Sequence, residues 1–139
     1  MAAAAFSRTL AGLGLIGASC TSVAMDQRTL IDSQWSVTAI NGQPAPGSIR
    51  FQAGRLTAFF GCNRASGAYR IAGDRIEIGP MAATRMACEP ATDEPTDHPM
   101  RHENAAFAVL NSPLNVRWMS GNRLILSNSA GSIALQRTP

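Results

Sequence analysis

Glycine turns that launch alternating strands recur along the chain, and they constrain its fold more than any other feature. Residues 69–78 and 118–126 share a Gly-(Asp/Asn)-Arg core followed by an apolar-polar-apolar run, at Gly73-Asp74-Arg75 and Gly121-Asn122-Arg123. Shorter copies stand at Gly54-Arg55-Leu56 and at Gly131-Ser132-Ile133. A tight turn followed by period-two alternation marks a β-hairpin with one buried face. The spacing of the copies is irregular, which excludes a solenoid. Successive hairpins of this kind curl an antiparallel sheet around one core. The predicted class is therefore mainly β (α+β): an antiparallel hairpin meander curled into a half-open barrel, with one packed helix.

The remaining elements fit that frame. Residues 34–40 alternate, placing Trp35, Val37 and Ala39 on one face of a strand, and Asn41-Gly42 supplies a positive-φ reversal. Residues 48–52 and 55–60 pair around Ala53-Gly54, and the second strand leads straight into Gly61-Cys62-Asn63. Helical spacing appears once, over residues 101–110, where Ala106, Phe107 and Leu110 share a face. Pro99 suits its first turn, and Asn111-Ser112-Pro113 ends it. Residues 89–99 are acidic, polar and proline-rich, and read as a loop.

Two segments are not generic core sequence: Gly61-Cys62-Asn63-Arg64-Ala65-Ser66-Gly67-Ala68-Tyr69 and Met81-Ala82-Ala83-Thr84-Arg85-Met86-Ala87-Cys88. Together they resemble the META-domain family, which includes the HslJ-type heat-inducible envelope proteins of bacteria. The likeness continues through Glu103, Phe107 and Leu110 of the helix and a closing Gly-x-x-Leu-x-Leu hairpin. It starts at Trp35 and Asn41-Gly42, so that it spans residues 33–137. The segment from Glu89 to Pro99 departs from it, being longer and richer in proline and acid. The resemblance implies the curved sheet with its helix, and a stress or envelope-maintenance role. It also marks Gly61, Asn63, Gly67, Tyr69 and Thr84 as signature positions of the architecture.

The N-terminus reads as an export signal. Arg8 precedes the apolar run from Leu10 to Ile16, and small residues Gly17-Ala18-Ser19 stand directly before Cys20. The run is too short to span a membrane as a helix. Small residues before a cysteine resemble a bacterial lipobox, with Gly17 where leucine is usual, and make Cys20 a lipid-attachment site. Cleavage after Ser22-Val23-Ala24 is the competing reading and would release a soluble secreted or periplasmic protein. On the preferred reading residues 1–19 are a lipoprotein signal peptide, 20–33 a tether and 34–137 the META domain. The protein then sits in the bacterial cell envelope, facing the periplasm and anchored to the membrane.

On either reading Cys62 and Cys88 remain as a pair in an oxidising compartment, which favours a disulfide. It would close a loop of about 27 residues, worth roughly 3–4 kcal/mol by the chain-entropy argument. The alternative is two small buried hydrophobes. Their spacing fits no zinc pattern.

Charge and residue types limit the chemistry. The formal net charge is +3, and all twelve basic residues are arginine. These arginines are scattered among strands, with no basic stripe interleaved with aromatics, so no nucleic-acid partner is expected. His98 and His102 are the two histidines, far in sequence from the Cys62 turn, and no Gly-x-Ser-x-Gly elbow occurs. His98, His102 and Glu103, with Asp93, Glu94 and Asp97, lack ordered metal spacing. A solvated loop entering a helix N-terminus accounts for the same residues. The chain is thus expected to be no enzyme, with no catalytic residues, no metal and no cofactor. Asn63 is read as a left-handed or Asx-turn residue. Arg64 and Arg85 are candidate contacts for an anion or a partner's carboxylate, and Arg85 has a second reading, the satisfaction of turn carbonyls. The expected partners are the membrane, through the N-terminal lipid, and an envelope protein. The alternative function is a carrier of a small apolar ligand in the concave face of the sheet.

Overall fold

The computed structural model describes residues 30–89 and 98–139, together with Gly12, Gly14 and Gly17. Cys20, the two candidate cleavage sites and Asp93, Glu94 and Asp97 lie outside the described residues. In chain order the elements are β1 (Ser33–Ile40), β2 (Gln43–Pro44), β3 (Ser48–Gln52), β4 (Arg55–Phe59), β5 (Arg64–Ala72), β6 (Arg75–Ile78) and β7 (Ala82–Ala83). Helix α1 (Pro99–Leu110) follows, and β8 (Leu114–Met119), β9 (Arg123–Asn128) and β10 (Gly131–Arg137) complete the chain.

The hairpin meander is present, and it closes. Strand order β10-β9-β8-β6-β5-β4-β3-β1 is completed by an antiparallel β1–β10 pairing, which makes an eight-stranded barrel. Strands β2 and β7 are short additions on β1 and β5. The narrowest seam is β6–β8, where the pairing is Arg75 with Asn115 and Ile76 with Leu114. Closure removes the free edges that an open sheet would expose.

Alternation within each strand turns one set of side chains inward. Trp35, Ile49, Phe51, Leu56, Ile76, Leu114, Leu124, Leu126, Ile133 and Leu135 are buried and pack as one core. Tyr69 belongs to it: its ring meets Phe51 edge-on at 5.3 Å, and its hydroxyl donates to the Gln52 carbonyl at 2.6 Å. Trp35 and Trp118 lie 5.7 Å apart, and the Trp118 indole N–H is a buried donor that meets no acceptor among the described residues. The barrel is filled by its own side chains.

Alternation fails once, in β1. The register shifts between Val37 and Ala39, so Ile40 is buried and Ala39 only half-buried. One extra residue at a bulge flips the face of everything beyond it, which simple alternation cannot foresee. Leu30, fully buried, and Ser33 belong to the folded body, so the fold takes in the last residues of the expected tether.

Antiparallel order gives the barrel two distinct ends. The β3–β4, β5–β6 and β8–β9 turns, the start of β1 and the finish of β10 lie at one end. Helix α1 covers the other. Ala106, Val109 and Leu110 are its buried apolar residues, and Phe107 meets Phe60 edge-on at 5.6 Å. The Val109 carbonyl accepts from Asn128 Nδ2 at 2.7 Å, tying the helix to the β9–β10 turn.

Candidate functional site

The signature segments meet at the helix-covered end, and Asn63 is where they join. Gly61, with φ of 104°, lets the chain turn out of β4 in a conformation that other residues rarely adopt. Asn63 follows, almost fully buried. Its side-chain oxygen accepts from the Met86 N–H at 2.6 Å and from the Thr84 hydroxyl at 3.0 Å. Its amide nitrogen donates to the Met86 carbonyl at 3.2 Å and to Glu103 Oε1 at 2.8 Å. The Asn63 backbone N–H donates to Glu103 Oε2 at 2.8 Å.

A carboxamide presents the same donor and acceptor as a peptide group. Asn63 therefore pairs with Met86 through its side chain as a neighbouring strand would through its backbone. Of residues 81–88, Ala82–Ala83 alone is strand. Thr84 N–H still donates to the Arg64 carbonyl at 3.0 Å, and the Thr84 hydroxyl accepts from Arg64 N–H at 3.1 Å. Beyond Thr84 the side chain of Asn63 takes over the ladder. This corrects the expected conformation of Asn63, which is neither among the positive-φ residues nor closed on its own turn. It acts in the architecture, through long-range bonds.

Cys62 and Cys88 are bonded, with Cα atoms 5.8 Å apart, and fasten the far end of the same segment. Gly67 makes the approach possible from the near end: a Cβ there would stand 2.8 Å from Met81 Sδ and 3.1 Å from the Pro80 carbonyl. Cys88 returns to Cys62 after β5, β6 and the two-residue β7.

Glu103 is the residue that sequence reasoning misplaced. A solvated acid entering the helix was expected; the side chain is only 3% exposed. Both carboxylate oxygens accept from Asn63, and charge-assisted bonds of this kind are stronger than neutral ones. The available signal was its spacing, since Glu103 falls three residues before Ala106 and seven before Leu110 on the buried face. No group of His, Cys, Asp or Glu among the described residues is arranged to hold a metal ion.

The two candidate arginines lie on the outside of this junction. Arg64 places its guanidinium 5.3 Å from the centre of the Phe59 ring. Arg85 is exposed and makes no hydrogen bond or ion pair among the described residues, so it does not satisfy turn carbonyls. Beside it Met86 is 58% exposed. A shallow hollow of ≈ 240 Å³ runs from Arg64 past Phe59 and Thr57 to Arg50 on the outer face of the sheet. The junction thus combines a rigid interior with an arginine-bearing exterior.

These features define a class: a small antiparallel barrel closed by one helix, with a disulfide and an asparagine holding the junction. The chain belongs to the META domain family, whose profile matches residues 28–138. Among solved structures, the chain is similar to an NMR structure of a protein from Burkholderia xenovorans. The TM-score is 0.60 at 21% identity, covering 80% of this chain and 85% of that one. A second NMR structure matches with a TM-score of 0.64 at 21% identity, over 78% of this chain and 92% of its own. At that identity the likeness speaks for the fold alone. No curated protein matches the chain significantly.

Proposed function

We propose that this META domain protein is a non-enzymatic lipoprotein of the bacterial cell envelope, with an envelope-maintenance role exercised through contact with another envelope protein. One observation carries the non-enzymatic part: the buried polar groups at the junction are consumed by one another. Asn63 and Glu103 satisfy each other and the Met86 backbone, and both cysteines are oxidised. Only a thiolate attacks, and an acid–base catalyst needs a group free to exchange a proton with substrate. Contact is assigned to the exterior, where Arg85 and Met86 stand exposed and Arg64 lies against Phe59. Arginine forms paired bonds with carboxylates, which suits an acidic patch on a partner.

The anchor is tested by feeding cells a fatty-acid probe and comparing the wild-type chain with Cys20→Ala. Label on the wild type alone supports the lipoprotein; label on neither supports cleavage after Ala24. The contact surface is tested with Arg64→Ala and Arg85→Ala, which should weaken capture of a partner while leaving the melting temperature unchanged. Turnover of an ester, peptide or glycan that is lost on substitution of Thr84 or His102 would overturn the non-enzymatic reading.

A further inference from the structure

The end of the barrel opposite the helix carries a pattern that the signature segments do not explain. Three glycine turns place an arginine on the first residue of a strand: Arg55 opens β4, Arg75 opens β6 and Arg123 opens β9. Antiparallel order brings all three tips to the same end, and all three arginines are exposed. Arg137, the last residue of β10, joins them, and Arg50 and Arg117 stand one outward position further in on β3 and β8. The acidic side chains there are Asp32 and Asp74; Glu77, further in, is paired with Arg70. At the helix-covered end the described charges are closer to even, with Glu89 and buried Glu103 against Arg64, Arg85 and Arg101.

Two further observations fall at the basic end. Met119, at the tip between β8 and β9, is 37% exposed and lies between Arg117 and Arg123 in sequence. The chain also enters the barrel there. Ser33 begins β1 and donates its hydroxyl to the carbonyl of buried Leu30.

We infer that this rim of Arg55, Arg75, Arg123 and Arg137 docks on an anionic phospholipid bilayer, with Met119 reaching into its interface. Arginines at hairpin tips meet lipid phosphates without rearranging the barrel, and phosphate is the anion that the guanidinium fork matches best. The start of β1 at this end selects a bilayer over an acidic protein: the lipid proposed on Cys20 is ten residues before Leu30 in sequence and would tether this end to the lipid. The inference takes its partner from the envelope reading above, yet it is tested apart from the anchor.

The experiment uses the full chain with Cys20→Ala, mixed with vesicles of phosphatidylcholine alone or with phosphatidylglycerol added, and sedimented. Binding is expected to the anionic vesicles and to weaken as salt rises, because screening shortens the reach of exposed charges. Each arginine near such a surface is worth about fivefold in binding. The triple variant Arg55→Gln, Arg75→Gln, Arg123→Gln should then bind on the order of 100-fold more weakly. Arg64→Gln with Arg85→Gln, at the other end, should bind as the starting chain does. Salt-independent binding, equal binding to both vesicle types, or an equal loss from the Arg64 and Arg85 pair would overturn the inference. So would capture of an acidic protein by this rim without binding to anionic vesicles. The salt titration needs no arginine variant, so misfolding of the triple cannot shield the inference. A negative fatty-acid label with positive vesicle binding would remove the anchor and leave the rim.

Discussion

The two ends of the barrel are held by different kinds of interaction. At the helix-covered end, order depends on partners far apart in sequence: Cys62 with Cys88, and Asn63 with Met86 and with Glu103, 40 residues away. At the arginine-bearing end β1 and β10 still meet across the chain, where Gln34 accepts from Thr138, but the hairpin tips are ordered locally. Turns such as Gly73-Asp74 and Gly121-Asn122 reverse the chain within a few residues, with φ of 65° at Gly73 and 74° at Gly121. Long-range bonds fix one conformation and leave few groups free. Local turns fix the backbone and leave their charged side chains to solvent or a surface. This difference is the physical basis for assigning structure to the Asn63 junction and contact to arginines elsewhere.

The largest test of that contrast removes the covalent tie. Replacing Cys62 and Cys88 together by alanine should cost about 3–4 kcal/mol, because the unfolded chain regains the entropy of an open loop. Denaturant unfolding measures it. A loss under about 1 kcal/mol would mean that the Asn63 bonds already restrict that segment without the disulfide.

Next in size is Glu103→Ala, expected to cost about 3 kcal/mol, since two donors on Asn63 would lose a charged acceptor in a buried setting. Glu103→Gln keeps one acceptor oxygen and should cost less. Equal losses for the two variants would show that packing of the side chain, and not its acceptors, matters at this point.

A smaller effect is expected at Tyr69→Phe, about 1 kcal/mol near neutral pH for the lost bond to the Gln52 carbonyl. Burial first, and then the Asp32 carboxylate, raise the phenol above its ordinary 10.0. As pH rises past 10.0, the unfolded chain releases this proton before the folded one does. Stability from Tyr69 is therefore whole below that pH and is lost as pH climbs to the raised value. The chain has one tyrosine and no lysine, so Tyr69→Phe should flatten the alkaline fall seen in melts across that range.

The smallest effect belongs to the hairpin tips. Arg75→Gln should change stability by no more than about 0.5 kcal/mol, being exposed and away from the core. A loss of 2 kcal/mol or more would mean that the tips hold the barrel together, and the contrast between its ends would fail.

Much of this architecture is legible in the residues themselves. Glycine turns followed by alternating strands state a hairpin meander, because turn geometry and side-chain direction are properties of a few adjacent residues. Pro99 and the spacing of Ala106, Phe107 and Leu110 state a helix for the same reason. The pairing of Cys62 with Cys88 follows from counting, and the META likeness rests on the segments that contain them. Closure of the barrel, the bulge after Val37 and the burial of Glu103 were decided only by tertiary structure. Closure requires β1 to find β10 across almost the whole chain, and a bulge depends on the register of that partner. Glu103 has the composition of a surface residue, and Asn63, brought to it by folding, supplies donors that let a carboxylate stay buried.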